Sequence, residues 1–284
     1  MTPKKAHPIP PAAERFFANA GKLPTMPEVA ARLLKSFEDP SISLLAVADL
    51  IGKDPNLSAR VLRLANSARY SPSHNIGTLK DAANALGMET LRNLTMAAAI
   101  SGSFPNCPGL DRSLLWRHAA STAAYARLLA KLVLLDADEV FLAGMMLRTG
   151  QILMAMSEAK QVADVEAHAK EPGSRYSLEQ HRFGCTHADV TASLAAHWHF
   201  PSEMIRAFTD ANDPLAVRPF SLMAAVLHLA EVLADAAMQQ EDPVAALQQA
   251  VPELVEHLHL DLEDLRGRLV ALGDPAQDVE LLLS

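Results

Sequence analysis

An all-α fold is the class this sequence predicts, and three observations carry the prediction. Half of its 284 residues are apolar while aromatic residues supply only 5%, so the core must be built from aliphatic side chains, with alanine and leucine in abundance. Apolar residues recur at intervals of three and four, and no stretch sustains the period-two alternation of β-branched residues that marks a strand. Prolines and capping residues break the chain into helix-length pieces joined by short turns.

The pieces follow in order. Residues 1–21 are rich in proline and alanine and are expected to form a flexible lead. Pro27 opens the first firm helix, with Val29, Leu33, Leu34 and Phe37 on its buried stripe and Asp39-Pro40 closing it. Ser43 caps a short helix that turns Leu44, Val47, Leu50 and Ile51 inward. Asp54-Pro55 is a cap followed by proline at the first helical position, and Leu57, Val61, Leu64, Ala65 and Ala68 then recur at helical spacing. Thr78 and Asp81 start a fourth helix that ends at Gly87, and Leu91 and Leu94 mark a fifth.

A looser stretch, residues 101–109, holds two prolines and two glycines and divides the helical region into a lobe over 22–108 and a lobe over 109–236. The second lobe opens with a long helix around Trp116 to Leu134. A helix from the Asp136-Ala137-Asp138-Glu139 box runs through Met145 and Met146, after which Gly150 interrupts the pattern. Helices start near Ser177 and at Thr186, where Asp189 completes a capping box, and a long one covers roughly Phe220 to Met238. Residues 237–284 form a helical extension, with Leu262, Leu265, Leu269 and Leu272 on one stripe.

Charge is concentrated at that end. From Leu229 to Ser284 twelve Asp or Glu face only Arg266 and Arg268, a net of −10 within an overall −8. Such a segment repels nucleic acid and anionic membrane. The helices between Lys53 and Leu94 carry a modest basic surplus, too small for the footprint of a DNA reader, so nucleic acid is not an expected partner. Two cysteines, Cys107 and Cys185, are too few for a disulfide framework and suit a reducing compartment. No run of about 18 apolar residues free of charge appears and the N-terminus has no signal-peptide core, so a soluble, cytoplasmic protein is expected. Gly-rich phosphate loops, nucleophile elbows and H-E-x-x-H motifs are all missing, which leaves those enzyme classes without support.

Two segments, Leu23-Pro24-Thr25-Met26-Pro27-Glu28-Val29-Ala30 and Asp54-Pro55-Asn56-Leu57 through Leu64-Ala65-Asn66-Ser67-Ala68, resemble the opening signature of HDOD domains. Leu115-Trp116-Arg117-His118, Phe141 to Met146 and Gly184-Cys185-Thr186-His187-Ala188-Asp189 follow in that family's order and spacing. The resemblance runs from about Leu23 to Ala236 and implies an HD-like helical core, similar to that of metal-dependent HD phosphohydrolases. Those enzymes need a first histidine, a His-Asp pair on a later helix and a final aspartate, because a divalent metal requires several converging N and O donors to activate water against phosphate.

Carried over residue by residue, the first histidine falls on His118, the His-Asp pair on Leu147-Arg148 and the last aspartate on Glu231. Leucine offers no donor, and arginine puts a permanent cation where the metal would sit. The lysine common after the family's glycine is Gln151. The resemblance therefore implies no bound metal, no cofactor and no catalysis, and a bacterial signal-transduction output module that works by contact with other signalling proteins. A homodimer is left open.

The expected partner surface is the helix from Asp54 to Asn66 together with the interface of the two lobes, with Arg60, Arg63, Asn66 and Arg69 as polar contacts. A second function class is a sensor that holds a nucleotide or other anionic molecule in a remnant pocket of His118, Arg148 and Glu231, and a third is a residual metal-dependent phosphohydrolase, which would require bound metal. Arg148 can instead pair with Glu231 as an internal substitute for the lost metal.

Other constellations have plain structural readings. His197 and His199 flank Trp198 two residues apart and so do not face each other on a helix, which favours a core tryptophan between exposed histidines. His228 and Glu231, at i and i+3, are expected to hydrogen-bond as a pair lining the remnant pocket. His187 and Asp189 belong to a helix start, and Met145, Met146, Met154 and Met156 to adaptable core packing.

Overall fold

The computed structural model describes residues 8–19, 24–37, 43–67, 71 and 75–277, and every regular element among these described residues is a helix. The chain divides into two compact units. One is Pro24–Pro105 together with the stretch from Ala276; the other joins the N-terminal segment to Asn106–Pro275.

The Pro24–Pro105 unit contains α2 (Glu28–Phe37), α3 (Leu44–Ile51), α4 (Pro55–Ala65), α5 (Leu79–Leu86) and α6 (Met88–Ser103). Its helix starts follow the predicted capping chemistry. Ser43 Oγ accepts from the Ala46 N–H, one Asp54 carboxylate oxygen accepts from Asn56 and Leu57, and Thr78 Oγ1 accepts from Asp81. Each such cap satisfies helix-end donors and contributes on the order of 1 kcal/mol. Val29, Leu33, Val47, Ile51, Leu57, Val61 and Leu64 are buried, as their spacing requires. The expected roles of the Leu34 and Phe37 side chains, of Asp39-Pro40, and of Ala68 and Arg69 lie outside the described residues.

The other unit holds α1 (Pro11–Asn19), α7 (Arg112–Leu132), α8 (Ala137–Met146), α9 (Thr149–His168), α10 (Arg175–Phe183), α11 (His187–His197), α12 (Ser202–Asp210) and α13 (Leu222–Met238). It ends with α14 (Pro243–Ala250), α15 (Pro252–His257) and α16 (Leu262–Leu272). Its centre is α7 packed against α8 and α13, with α9 laid on α11. Small residues on α7 permit the close approach: a methyl added at Gly144 of α8 would stand 2.8 Å from the Ala123 Cα. The stretch Ala137–His168 has the length and apolar composition of a membrane span, and 89% of its most apolar window is buried inside the unit.

Three expectations are corrected here. Residues 11–19 of the anticipated flexible lead form α1, which packs on α9 and α11; Phe16 is fully buried and meets Phe183 edge to face at 5.9 Å. The apolar Ala13 and Phe16 on one helical face outweigh the alanine-proline composition that suggested disorder. Gly150 does not interrupt a helix but lies in the first turn of α9, and the true break falls one turn earlier, at Leu147-Arg148. The segment after residue 236 is joined to the unit from its first turn, since α14 lies on α13 with Val244 and Leu247 buried. On α16 only Leu265 is fully buried, and the other leucines of its stripe are half-buried.

Candidate functional site

The α8–α9 corner places the central side chain. Thr191 Oγ1, from α11, donates to the Leu147 carbonyl at 2.8 Å and accepts from the Gly150 N–H at 2.8 Å, so a single hydroxyl clamps both sides of the corner. The clamp depends on Gly150, because a methyl there would fall 2.1 Å from the His187 carbonyl oxygen and 2.7 Å from the Thr191 nitrogen. Held in this way, Arg148 at the N-cap of α9 points its guanidinium at α13.

On α13 two carboxylates one turn apart receive it. Arg148 Nε donates to Glu231 Oε1 at 2.7 Å, and an Nη donates to Asp235 Oδ1 at 2.6 Å. Residues at i and i+4 of a helix share a face, so one guanidinium bridges both acids. His118, from α7, completes the group with Nε2 2.8 Å from Asp235 Oδ1. Since an ionised carboxylate only accepts, this nitrogen carries the proton, and Nδ1 is left to accept from Thr122 Oγ1 at 3.2 Å. The other Asp235 oxygen accepts from the Gly173 N–H at 3.0 Å.

The protonation states follow from these neighbours. Burial favours neutral Asp235 and neutral Glu231, but for Asp235 the Arg148 charge, and for Glu231 the His187 and Arg148 charges, outweigh it and hold both carboxyls below the usual range. Burial also opposes the Arg148 charge, and the two acids overcome that cost and raise its pKa. Burial and then Arg148 lower the pKa of His118, against the pull of Asp235, so this histidine is neutral at pH 7.

Behind this group lies a second buried one. His187, fully buried at the start of α11, stands with Nδ1 2.6 Å from Glu179 Oε2 and Nε2 3.2 Å from Glu231 Oε1. Burial would keep it neutral, but Glu179 and then Glu231 push its pKa up to about 9. Thr186 and Asp189 form the expected capping box at the same helix start. Tyr176 stacks between His187 and His228, with ring centroids 5.0 Å and 5.2 Å away. The expected His228–Glu231 hydrogen bond is replaced: His228 Nδ1 meets the Ala211 carbonyl at 2.6 Å, because that oxygen lies at the unspent end of α12.

His118, Arg148, Asp235, Gln151, Glu166 and Arg175 line a cavity of about 350 Å³ within this unit. Sequence reasoning brought His118, Arg148 and Glu231 together and missed Asp235, His187 and Glu179. Asp235 was detectable as the next acid on the Glu231 face. The partnership of His187 with Glu179 was not, since it joins two helices through a tertiary contact.

A divalent metal does not fit this arrangement. The Arg148 guanidinium holds the two acids that a cation would need, Leu147 is buried and carries no donor, and no three His, Cys, Asp or Glu side chains among the described residues are placed to share a metal ion.

Of the other expected residues, Trp198 is buried between exposed His197 and His199. In the Pro24–Pro105 unit Arg63 is exposed and Arg60 half-buried on α4. Asn66 is turned to its own chain and is corrected as a partner contact: its Nδ2 donates to the Leu62 and Ile76 carbonyls at 2.8 Å each, and its Oδ1 accepts from the Ile76 N–H at 2.7 Å. An amide with both ends engaged at a half-buried position serves its own fold. Arg69 lies outside the described residues.

Comparison with known proteins agrees with this architecture. The fold is shared with a crystal structure of an HDOD domain protein of unknown function from Geobacter sulfurreducens, at 25% identity and a TM-score of 0.77, covering 95% of this chain and 97% of that one. A candidate phosphohydrolase from Shewanella amazonensis SB2B is similar at 27% identity and a TM-score of 0.75, covering 95% and 98%. A candidate signal transduction protein from Marinobacter aquaeolei VT8 shares the fold at 22% identity and a TM-score of 0.76, covering 96% and 64%. Among curated proteins, an uncharacterized protein of Treponema pallidum (strain Nichols) is 25% identical over 187 residues, and the chain spans only 36% of that relative's length. Residues 23–214 match the HDOD domain, and the chain belongs to the HDOD family.

Proposed function

We propose that this protein is a non-catalytic module of bacterial signal transduction that acts in the cytoplasm through contact with other signalling proteins. One observation carries the reading: a guanidinium is hydrogen-bonded to both acids at the position where the related hydrolases hold a cation. A fixed organic cation keeps the helices together without offering an open coordination site or an activated water. The fold shared with a candidate signal transduction protein is in keeping with this role.

The decisive experiment is elemental analysis of the purified protein together with hydrolysis of a generic phosphodiester in added manganese, nickel or iron. Neither metal nor turnover is expected; stoichiometric metal with turnover would overthrow the reading. For the partner surface, reversing the charge of Arg60 and Arg63 should weaken capture of a cognate signalling protein at unchanged melting temperature. Full capture by that variant would remove α4 from the interface.

A second reading has an anionic signalling molecule bound by Arg148 with help from His118. The cavity beside them favours it. Its difficulty is that the anion must compete with Glu231 and Asp235 for the same donors.

A further inference from the structure

The groove that seats α1 has the features of a helix-binding surface. α1 has nine residues, too few for a helix to persist alone in water, so the groove between α9 and α11 is what keeps it folded. Ala13 and Phe16, three residues apart on one face, are fully buried in it, and Phe17 is half-buried. Phe183, at the end of α10, meets the Phe16 ring edge to face, and His197, at the end of α11, meets Phe17 with ring centroids 6.1 Å apart. Gly184 has a φ of +73°, and a methyl on it would touch the Ala12 Cβ at 3.7 Å, so the α10–α11 turn lies against the first turn of α1. The α9 wall carries Glu158, 3.4 Å from Arg15. Glu158 is also where α9 bends, since its φ of −133° and ψ of 51° lie outside the helical region.

The hold on α1 is local. Among its described side chains Ala13 and Phe16 are the fully buried ones, and the Arg15–Glu158 pair stands partly in water, where an ion pair contributes little. These contacts are set against the entropy of ordering nine residues, whereas α13 is buried along nearly its whole length. A segment with so few buried contacts opens by itself, at a lower free energy than the whole unit. Beneath it lies a chemical reporter of that opening. Cys185 is fully buried next to Gly184, and its thiol is pushed up to about 12, by burial first and then by Asp189, with Arg15 of α1 acting against them.

We infer that the α9/α11 groove is a docking surface for an amphipathic helix of another signalling protein, and that α1 is its occupant in cis, displaced when such a helix takes its place. The incoming helix carries small residues one turn before an aromatic, to lie on Gly184 and Phe183, and a cationic side chain toward Glu158. The inference rests on the reading of this protein as a module that works by contact with signalling proteins, and it puts that contact away from α4. Its test involves neither α4 nor a metal, so the two readings fail separately.

The test follows alkylation of Cys185 by N-ethylmaleimide in the full chain, read by peptide mass spectrometry. In the parent the thiol is reached through release of α1, so at low urea its labelling rate changes little with urea, because that step exposes little surface. Phe16→Ala should speed labelling at least tenfold. A synthetic peptide of residues 8–19, added to that variant, should bind one to one and slow labelling severalfold, whereas the same peptide carrying Phe16→Ala should leave it fast. The parent should ignore the peptide at micromolar concentration, since its own α1 is present at an effective concentration on the order of millimolar. The inference is overturned if Cys185 of the parent is labelled with the full urea dependence of global unfolding, a result that decides alone should the variant not fold. It is equally overturned if the folded variant labels as the parent does or if the peptide fails to slow it. A Phe16-dependent dimer of the parent in analytical ultracentrifugation would overturn the foreign helix in favour of α1 from a second copy.

Discussion

Arg148 Nε lies 2.7 Å from Glu231 Oε1, and both side chains are almost completely buried. A buried ion pair contributes little net stability when whole, because desolvation offsets its attraction, yet it is costly to break from one side. Arg148→Met should therefore destabilise the protein by about 3–5 kcal/mol in urea unfolding, since it strands Glu231 and Asp235 together. Adding Glu231→Gln to that variant should recover part of the loss. A single substitution within 1 kcal/mol of the parent would mean that the acids find another partner.

His187 sets the alkaline edge of stability. Its pKa is pushed up to about 9 in the folded chain, so its contribution is complete below the ordinary histidine value near 6.5 and is lost as pH rises through about 9. The expected loss is on the order of 3 kcal/mol, by the conversion of one pKa unit to 1.36 kcal/mol. Glu231 and Asp235 act in the opposite sense: their lowered pKa values stabilise above the normal carboxylate range and fail as pH falls. Denaturant titrations between pH 6 and 10 on the parent and on His187→Gln check the first point; equal slopes would refute it.

Two glycines separate packing from propensity. Gly150→Ala drives a methyl into the His187 carbonyl and should cost about 3 kcal/mol or more, because backbone cannot step aside as a side chain can. Gly267→Ala, within α16 with nothing inside 4 Å of the new methyl, should instead stabilise by roughly 0.5–1 kcal/mol. Melting curves of the two variants, read side by side, decide the matter.

Asn66→Ala removes three hydrogen bonds, two of which tie Ile76 to the end of α4. A loss of about 2 kcal/mol is expected, together with faster amide exchange at Ile76, whose N–H loses its acceptor. Exchange at Ile76 that stayed at the parent rate would show another acceptor in its place.

What could be read without coordinates divides along a physical line. Helix starts such as Thr78/Asp81 and Thr186/Asp189 were legible because a cap acts over three residues. His118, Arg148 and Glu231 were legible through a family resemblance that fixes their positions on separate helices. Asp235 could have been added by helical spacing alone. The Glu179–His187–Glu231 chain, and the turn of His228 to Ala211, depend on how α10, α11, α12 and α13 meet, and nothing local encodes that. Gly150 misled for a related reason. In sequence a glycine inside a helical pattern reads as a break, whereas here its missing side chain is filled by the backbone of another helix.

The docking of α1 also has an order in time. Phe16 leaves the ribosome well ahead of the helices it packs against, α9 and α11, which lie more than a hundred residues later, with Pro24–Pro105 made in between. At a synthesis rate of roughly 5–20 residues per second, this apolar face waits on the order of ten to thirty seconds without its site. α1 is thus made well before the surface on which it docks, and removing residues 8–22, as composition alone would invite, would leave Phe183 facing water in the finished protein.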